Sequence, residues 1–106
     1  MIVSADEARL IFGRWQDESA PVRVKLSNDS FVFDGVGVAE VTQDTLEFSG
    51  PSWRFLFPLA GAAFSFSDPR EIPIASVRAA ESAQYELGVV VTLASGDRLT
   101  LLEMKS

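Results

Sequence analysis

Residues 85–104, YELGVVVTLASGDRLTLLEM, carry the clearest secondary-structure pattern in the chain. Apolar side chains recur at every second position of the first half of this stretch, a period that is typical of a strand with one buried face. Ser95, Gly96 and Asp97 then interrupt the alternation with residues that favour turns, and the apolar pattern resumes up to Met104. The stretch therefore predicts an antiparallel hairpin. One face of its first strand is expected to carry Tyr85, Leu87, Val89, Val91 and Leu93.

The same period of two appears earlier in the chain. In VRVKL, residues 22–26, apolar residues alternate with cations, and SNDS, residues 27–30, has the composition of a hairpin turn. The next predicted strand, residues 31–41, contains Gly35 and Gly37. Glycine inside a strand usually marks a bulge or a sharp bend. We therefore expect this strand to bend from one sheet toward another, as strands do in small barrels.

An aromatic-rich stretch, WRFLFPLAGAAFSF, follows at residues 53–66. Its rings fall at alternate positions, which predicts the lining of a barrel, with each buried ring contributing on the order of 2–3 kcal/mol. Pro58 is excluded from a central ladder position, so this strand either ends there or forms an edge. The small residues beyond Pro58 allow close approach, so a self-association surface or an apolar pocket is the alternative. The candidate ligand or interface residues are Trp53, Phe55, Phe57, Pro58, Gly61 and Tyr85.

The N-terminal segment has the features of a helix. SADE, residues 4–7, matches a capping box in which Ser4 accepts the backbone N–H of Glu7. The apolar residues that follow have the i, i+3, i+4, i+7 spacing of one helix face: Ala8, Ile11, Phe12 and Trp15. We predict a helix over about residues 5–15 that covers one open end of the barrel. A partner-binding helix is the alternative.

The chain as a whole fits one domain. No repeat, low-complexity segment or linker divides its 106 residues. One helix followed by short strands and turns predicts a mainly β, α+β fold, namely a small antiparallel β-barrel or roll of about six or seven strands. The domain is expected to cover residues 1–106, with the β-barrel over about residues 21–104.

Composition excludes several chemistries. The chain has no cysteine, which removes disulfides, thiolate nucleophiles and cysteine-ligated zinc. It has no histidine, which removes the usual general base and the commonest transition-metal ligand. Fifteen acidic residues oppose nine Lys and Arg, for a net charge of −6, whereas nucleic-acid binding needs clustered cations. We therefore expect no enzyme activity, no catalytic residues, no cofactor and no metal site, and nucleic acid is an unfavoured partner.

Hydropathy bears on the compartment. No run approaches the ~18 apolar residues of a membrane-spanning helix, so we expect no membrane span. Asp6 and Glu7 stand where a signal peptide would carry positive charge. A cytoplasmic location is the resulting prediction.

Two cations form a candidate anion patch. Arg23 and Lys25 project from the same face of the first predicted strand, where Arg54 or Arg98 could join them. The alternative is a solvated strand face on which neighbouring acids pair with these cations.

Three segments resemble GRAM and bacterial pleckstrin-homology (PH)-like domains: GVGVAEVTQDTLEFSG (35–50), REIPIASVRAAES (70–82) and LGVVVTLASGDRLTLLE (87–103). The resemblance implies a seven-stranded split barrel that binds lipids or proteins. The family's C-terminal plug helix has no counterpart before Ser106, and we expect the N-terminal helix to take its place. The residues that carry the match are Gly37, Thr42, Leu46, Ile72, Pro73, Val77 and Gly96.

Residues 4–49 also resemble Sm-like barrels, in which a helix precedes a strand such as VRVKLSND (22–29) and a bent, glycine-containing second strand. This resemblance implies an RNA-binding ring. The chain departs from it, because the Arg-Gly or Lys-His of the second Sm motif is missing and the acidic charge opposes RNA.

Three functions follow as hypotheses. The first is a non-catalytic PH/GRAM-like β-domain that acts as a protein-interaction module and self-associates through the edge at residues 58–63. The second is a barrel that binds a lipid or another apolar small molecule near Trp53 and Tyr85. The third is an Sm-like ring that binds RNA.

Overall fold

A computed structural model describes residues 2–28, 31–67 and 85–104. Within these ranges a single helix, α1, follows a two-residue strand and precedes seven longer strands. In chain order the elements are β1 (Ile2–Val3), α1 (Ala5–Glu18), β2 (Val22–Asn28), β3 (Phe31–Val41), β4 (Thr45–Ser49), β5 (Arg54–Pro58), β6 (Ala63–Ser67), β7 (Tyr85–Thr92) and β8 (Arg98–Met104).

The described strands form one antiparallel sheet in the order β1-β6-β7-β8-β2-β3-β4-β5. The hairpin predicted for residues 85–104 is β7–β8, and the fold is mainly β with an N-terminal helix, as predicted. The sheet is not closed, since β1 and β5 lie at opposite edges. Seven of its described strands lie within residues 21–104, in agreement with the predicted six or seven, and the two-residue β1 adds an eighth before the helix. The segment 70–82, which carries part of the GRAM and PH-like resemblance, lies outside the described residues.

Strand β3, which was expected to bend between two sheets, changes its partner partway along its length. Residues 31–37 pair with β2, and residues 38–41 pair with β4. Both registers run without a shift, so the change of partner needs no bulge in β3. A register shift lies instead between Tyr85 and Leu87 in β7. It places Tyr85 opposite Met104, on the face opposite to that of Leu87, so the prediction that the two share a face is wrong.

The helix extends further than its predicted end at residue 15. Ser4 caps it by accepting the backbone N–H of Glu7 at 3.2 Å, as the capping box predicts. Gly13 does not end it. The helix stops at Ser19, whose φ of 49° is left-handed and whose N–H donates to the Gln16 carbonyl.

The sheet curls around α1. The helix contacts both β3 and β6, although β7, β8 and β2 lie between these strands in the sheet. Phe12 places its ring 6.0 Å from that of Phe64 on β6, and the Gln16 side-chain oxygen accepts the N–H of Val41 at the end of β3. The largest fully buried side chains of the described core are Trp15, Phe12, Phe48, Leu46, Leu99, Leu101, Leu102, Val22, Val24, Val89 and Val91.

Candidate functional site

Five rings gather where β3 and β5 approach each other. We call this set the aromatic cluster: Phe31, Phe33, Trp53, Phe55 and Phe57. Phe33 lies at its centre, with ring centroids 4.8 Å from Trp53 and 4.7 Å from Phe55 in edge-to-face arrangements. The cluster runs from solvent into the core, because Phe31 is 43% exposed and Phe57 only 5%. It therefore serves as a core for most of its area and presents one apolar end to solvent.

The indole of Trp53 is seated on glycines. A Cβ added at Gly37 would lie 2.8 Å from Trp53 Cη2 and 2.6 Å from the carbonyl oxygen of Ser49. A Cβ added at Gly35 would lie 3.2 Å from the indole, and one at Gly50 would overlap it. The glycines that the sequence assigned to a bend thus also make room for the tryptophan.

Among the described strands, β5 lies at an edge of the sheet, and it ends at Pro58, as predicted. The N–H of Gly50 donates to Trp53 and that of Leu59 to Asp44, so the odd-numbered residues of β5 bond toward β4. The backbone of Arg54, Leu56 and Pro58 consequently faces the open side. Proline offers no N–H there, which discourages pairing with another strand.

Gly61 lies in the turn that follows β5. Its φ of 74° is left-handed, and a Cβ added to it would lie 3.2 Å from the Cβ of Ala94 in the β7–β8 turn. Glycine is needed here because an L side chain would strain the backbone. The geometry of Gly61 is thus explained by the turn itself.

Tyr85 does not join Trp53, so the apolar site expected near both residues is not formed. Tyr85 is 3% exposed and packs with Leu102 and Met104 in a separate cluster. Its hydroxyl accepts a hydrogen bond from Arg23 at 3.0 Å. The register shift in β7 is the physical reason, since it turns this ring away from the face that carries Leu87.

Arg23 and Lys25 form an ion-pair network with Asp34. Arg23 donates from Nε and Nη2 to the two carboxylate oxygens of Asp34, each at 2.8 Å, and Lys25 Nζ lies 3.7 Å from the same carboxylate. The hydrogen bonds from Arg23 lower the pKa of Asp34 below its ordinary value, and Lys25 acts in the same direction. The hydrogen bonds to Asp34, with a smaller contribution from the Tyr85 hydroxyl, raise the pKa of Arg23 above its ordinary value. Arg54 pairs with Glu47 instead and does not extend the patch.

An exposed apolar surface lies on β3 and β5 and was not predicted as a site from the sequence. Seven large apolar residues of the described ranges are exposed, and five of them lie on these two strands. The five are Phe31, Val32, Val36, Val38 and Leu56. The available signal was the presence of apolar residues on both faces of residues 31–41, which the glycines of this strand obscured.

Neither a metal cluster nor a membrane helix is found in residues 2–28, 31–67 and 85–104. No three acidic side chains come together there as a metal site, and α1 is not long and apolar enough to span a bilayer. Comparison with protein-family models, curated proteins and solved structures found no significant match for this chain.

Proposed function

We propose that the protein is a non-catalytic β-domain that acts as a protein-interaction module and binds its partner through β3 and β5. The observation that carries the proposal is the concentration of exposed apolar side chains on these two strands, with Val32 76% and Leu56 61% exposed. Exposed apolar surface marks sites of protein interaction, and Val36 and Val38 are neighbours on one face of β3. The PH/GRAM-like resemblance and the cytoplasmic location stay predictions.

The pattern of β3 supports this function. A strand with one buried and one solvated face alternates apolar with polar residues. In β3, Ala39 is buried on the inner face, yet Val32, Val36 and Val38 are exposed on the outer face. Such a strand is stabilised when a second surface covers its outer face and removes these side chains from water.

Binding of an apolar small molecule or lipid is the second candidate. The observation in its favour is the solvent-exposed end of the aromatic cluster at Phe31, beside the partly buried rings of Phe33 and Trp53. Offset and edge-to-face rings of this kind offer surface to a flat apolar ligand. The Sm-like RNA-binding ring stays a third prediction, and its six- or seven-membered assembly would distinguish it.

Affinity capture with matched variants tests the protein-binding function. Val32→Ser and Leu56→Ser each remove one exposed apolar side chain of the proposed surface. Leu10→Ser is the control, because Leu10 is 75% exposed on α1, away from β3 and β5. We expect a partner protein to be captured by the wild type and by Leu10→Ser, and not by Val32→Ser or Leu56→Ser. Loss from Leu10→Ser alone would assign binding to the helix and contradict the proposal.

Native mass spectrometry tests the second candidate. A co-purified small molecule that is present in the wild type and absent from a folded Trp53→Ala variant would favour the ligand-binding function. A wild type free of any small molecule favours the protein-interaction module.

A further inference from the structure

A patch of five residues on the outer face of β3, β4 and β5 has a self-complementary arrangement. We call it the outer patch: Val38, Glu40, Glu47, Arg54 and Leu56. Its members share a face because Val38 is level with Ser49 and Arg54 in the register, and Glu40 is level with Glu47 and Leu56. The opposite face carries the buried side chains of Ala39, Leu46, Phe48 and Phe57.

The charges of the outer patch are unevenly compensated. Glu40 and Glu47 are direct cross-strand partners, an arrangement in which like charges repel. Arg54 pairs with Glu47, whose side chain is 12% exposed. Glu40 is exposed and makes no ion pair with any residue that the structure describes. The side chain of Arg54 stays 75% exposed in spite of its pair, so one carboxylate and one guanidinium remain accessible on the same face.

Their positions suit a two-fold axis. Strands lie about 4.8 Å apart and two residues span about 6.8 Å, so Arg54 and Glu40 occupy opposite corners of a patch roughly 10 Å by 7 Å. Val38 and Leu56 occupy the other two corners. A two-fold axis along the diagonal through Val38 and Leu56 brings each of them against its own copy. It also brings Arg54 of one chain to about 4 Å from the position facing Glu40 of the other, an offset that the long Arg54 side chain spans.

From this arrangement, and resting on the proposed protein-interaction function, we propose that the partner is a second copy of this chain, bound face to face through the outer patch. Val38 and Leu56 each pack against their own copy on either side of Glu47 and Ser49. Two symmetry-related Arg54–Glu40 pairs fix the register and relieve the repulsion between Glu40 and Glu47. The face carries the contact, not the strand edge at residues 58–63, because Pro58 offers no N–H at that edge.

The dimer is a weak one. The apolar surface continues along β3 to Val36, and Asp34 separates Val36 from Val32, so the surface stays small beside the ~1,600 Å² of a standard stable interface. The net charge of −6 on each chain also opposes association at low salt. We therefore expect a concentration-dependent equilibrium between monomer and dimer.

Charge-swap variants in sedimentation velocity test the proposal, over about 1–500 µM chain, a range suited to a weak interface. Glu40→Arg places two arginines opposite each other, and Arg54→Glu places two glutamates, so each single variant is expected to raise the dimer dissociation constant about tenfold or more. The double variant restores opposite charges and is expected to return within about threefold of the wild type. Glu40→Arg also gains Glu47 as an intrachain partner, so its loss of dimer would not come from unfolding.

Leu56→Ser supplies an apolar test, with Leu10→Ser as its control. The first is expected to weaken the dimer and the second to leave it unchanged. A wild type that stays monomeric while its protein capture depends on Val32 and Leu56 would overturn the dimer and leave the proposed function intact. A dimer indifferent to both charge variants, or a six- or seven-membered ring, would also overturn it. A wild type that neither self-associates nor captures a protein would contradict the proposed function itself.

Discussion

For single residues, the space around the Cβ position determines which substitutions the fold accepts. Gly37 and Gly13 illustrate the two extremes. Gly37 faces a backbone carbonyl and the Trp53 ring, whereas nothing lies within 4 Å of a Cβ added at Gly13 in the middle of α1. Gly37 is therefore needed for close packing and Gly13 is not, although the sequence shows only that each interrupts a regular pattern.

Alanine substitution at these two glycines should give opposite results. We expect Gly37→Ala to lower the free energy of unfolding by about 1–3 kcal/mol, because the carbonyl of Ser49 cannot yield without moving β4. Gly13→Ala should raise it by about 0.5–1 kcal/mol, because alanine restricts the unfolded chain and favours the helix. Urea denaturation monitored by circular dichroism measures both. Equal effects would mean that Gly37 and Trp53 are not in the contact described.

At the scale of elements, the docking of α1 depends on one inward-facing carboxylate. Glu103 of β8 accepts hydrogen bonds from the Trp15 indole N–H and from Arg14, and its side chain is 12% exposed. Trp15 is fully buried. The helix is thus held by apolar packing and by a polar contact that satisfies a buried donor.

The two contacts of Glu103 should differ in energy. Glu103→Ala leaves the buried indole N–H without its partner and should destabilise the fold by about 1–3 kcal/mol. Arg14→Ala removes only a half-exposed ion pair and should cost about 0–1 kcal/mol. Thermal and urea unfolding of the two variants provide the comparison. A larger loss for Arg14→Ala than for Glu103→Ala would contradict this assignment of roles.

At the scale of the whole molecule, the open sheet makes stability uneven. β8 and β2 lie at its centre and pair along both sides, whereas β5 pairs only with β4 in the part of the chain that the structure describes. Local opening costs least where backbone hydrogen bonds are few or exposed.

Hydrogen exchange resolved by residue should report this gradient. We expect the slowest amides in β8 and β2. In β5 the protection should alternate, with Phe55 and Phe57 slow because they bond to β4, and Arg54 and Leu56 fast because they face the open edge. Two-dimensional NMR after transfer to D₂O measures the rates. Equal protection of all four amides would show that the edge is covered and that the topology at β5 is not the one described.

Much of the fold could be predicted from local patterns. The alternation in residues 22–26 and 85–104 identified β2 and the β7–β8 hairpin, and SADE located the start of α1, because side-chain period and capping are short-range properties. Pro58 likewise predicted that its strand ends there or forms an edge, because the missing N–H belongs to the residue itself.

The site depended on contacts that sequence spacing does not contain. Tyr85 was predicted near Trp53, but a one-residue register shift turns it to the sheet face opposite to that of Leu87, where it packs with Leu102 and Met104. The exposed side chains of β3 were visible as apolar letters, but only the curl of the sheet around α1 decides which face is covered. Amino-acid pattern therefore determined which segments are strands, a helix and turns. Tertiary structure decided which strand faces remain open, because that depends on how distant strands pair and where the helix packs.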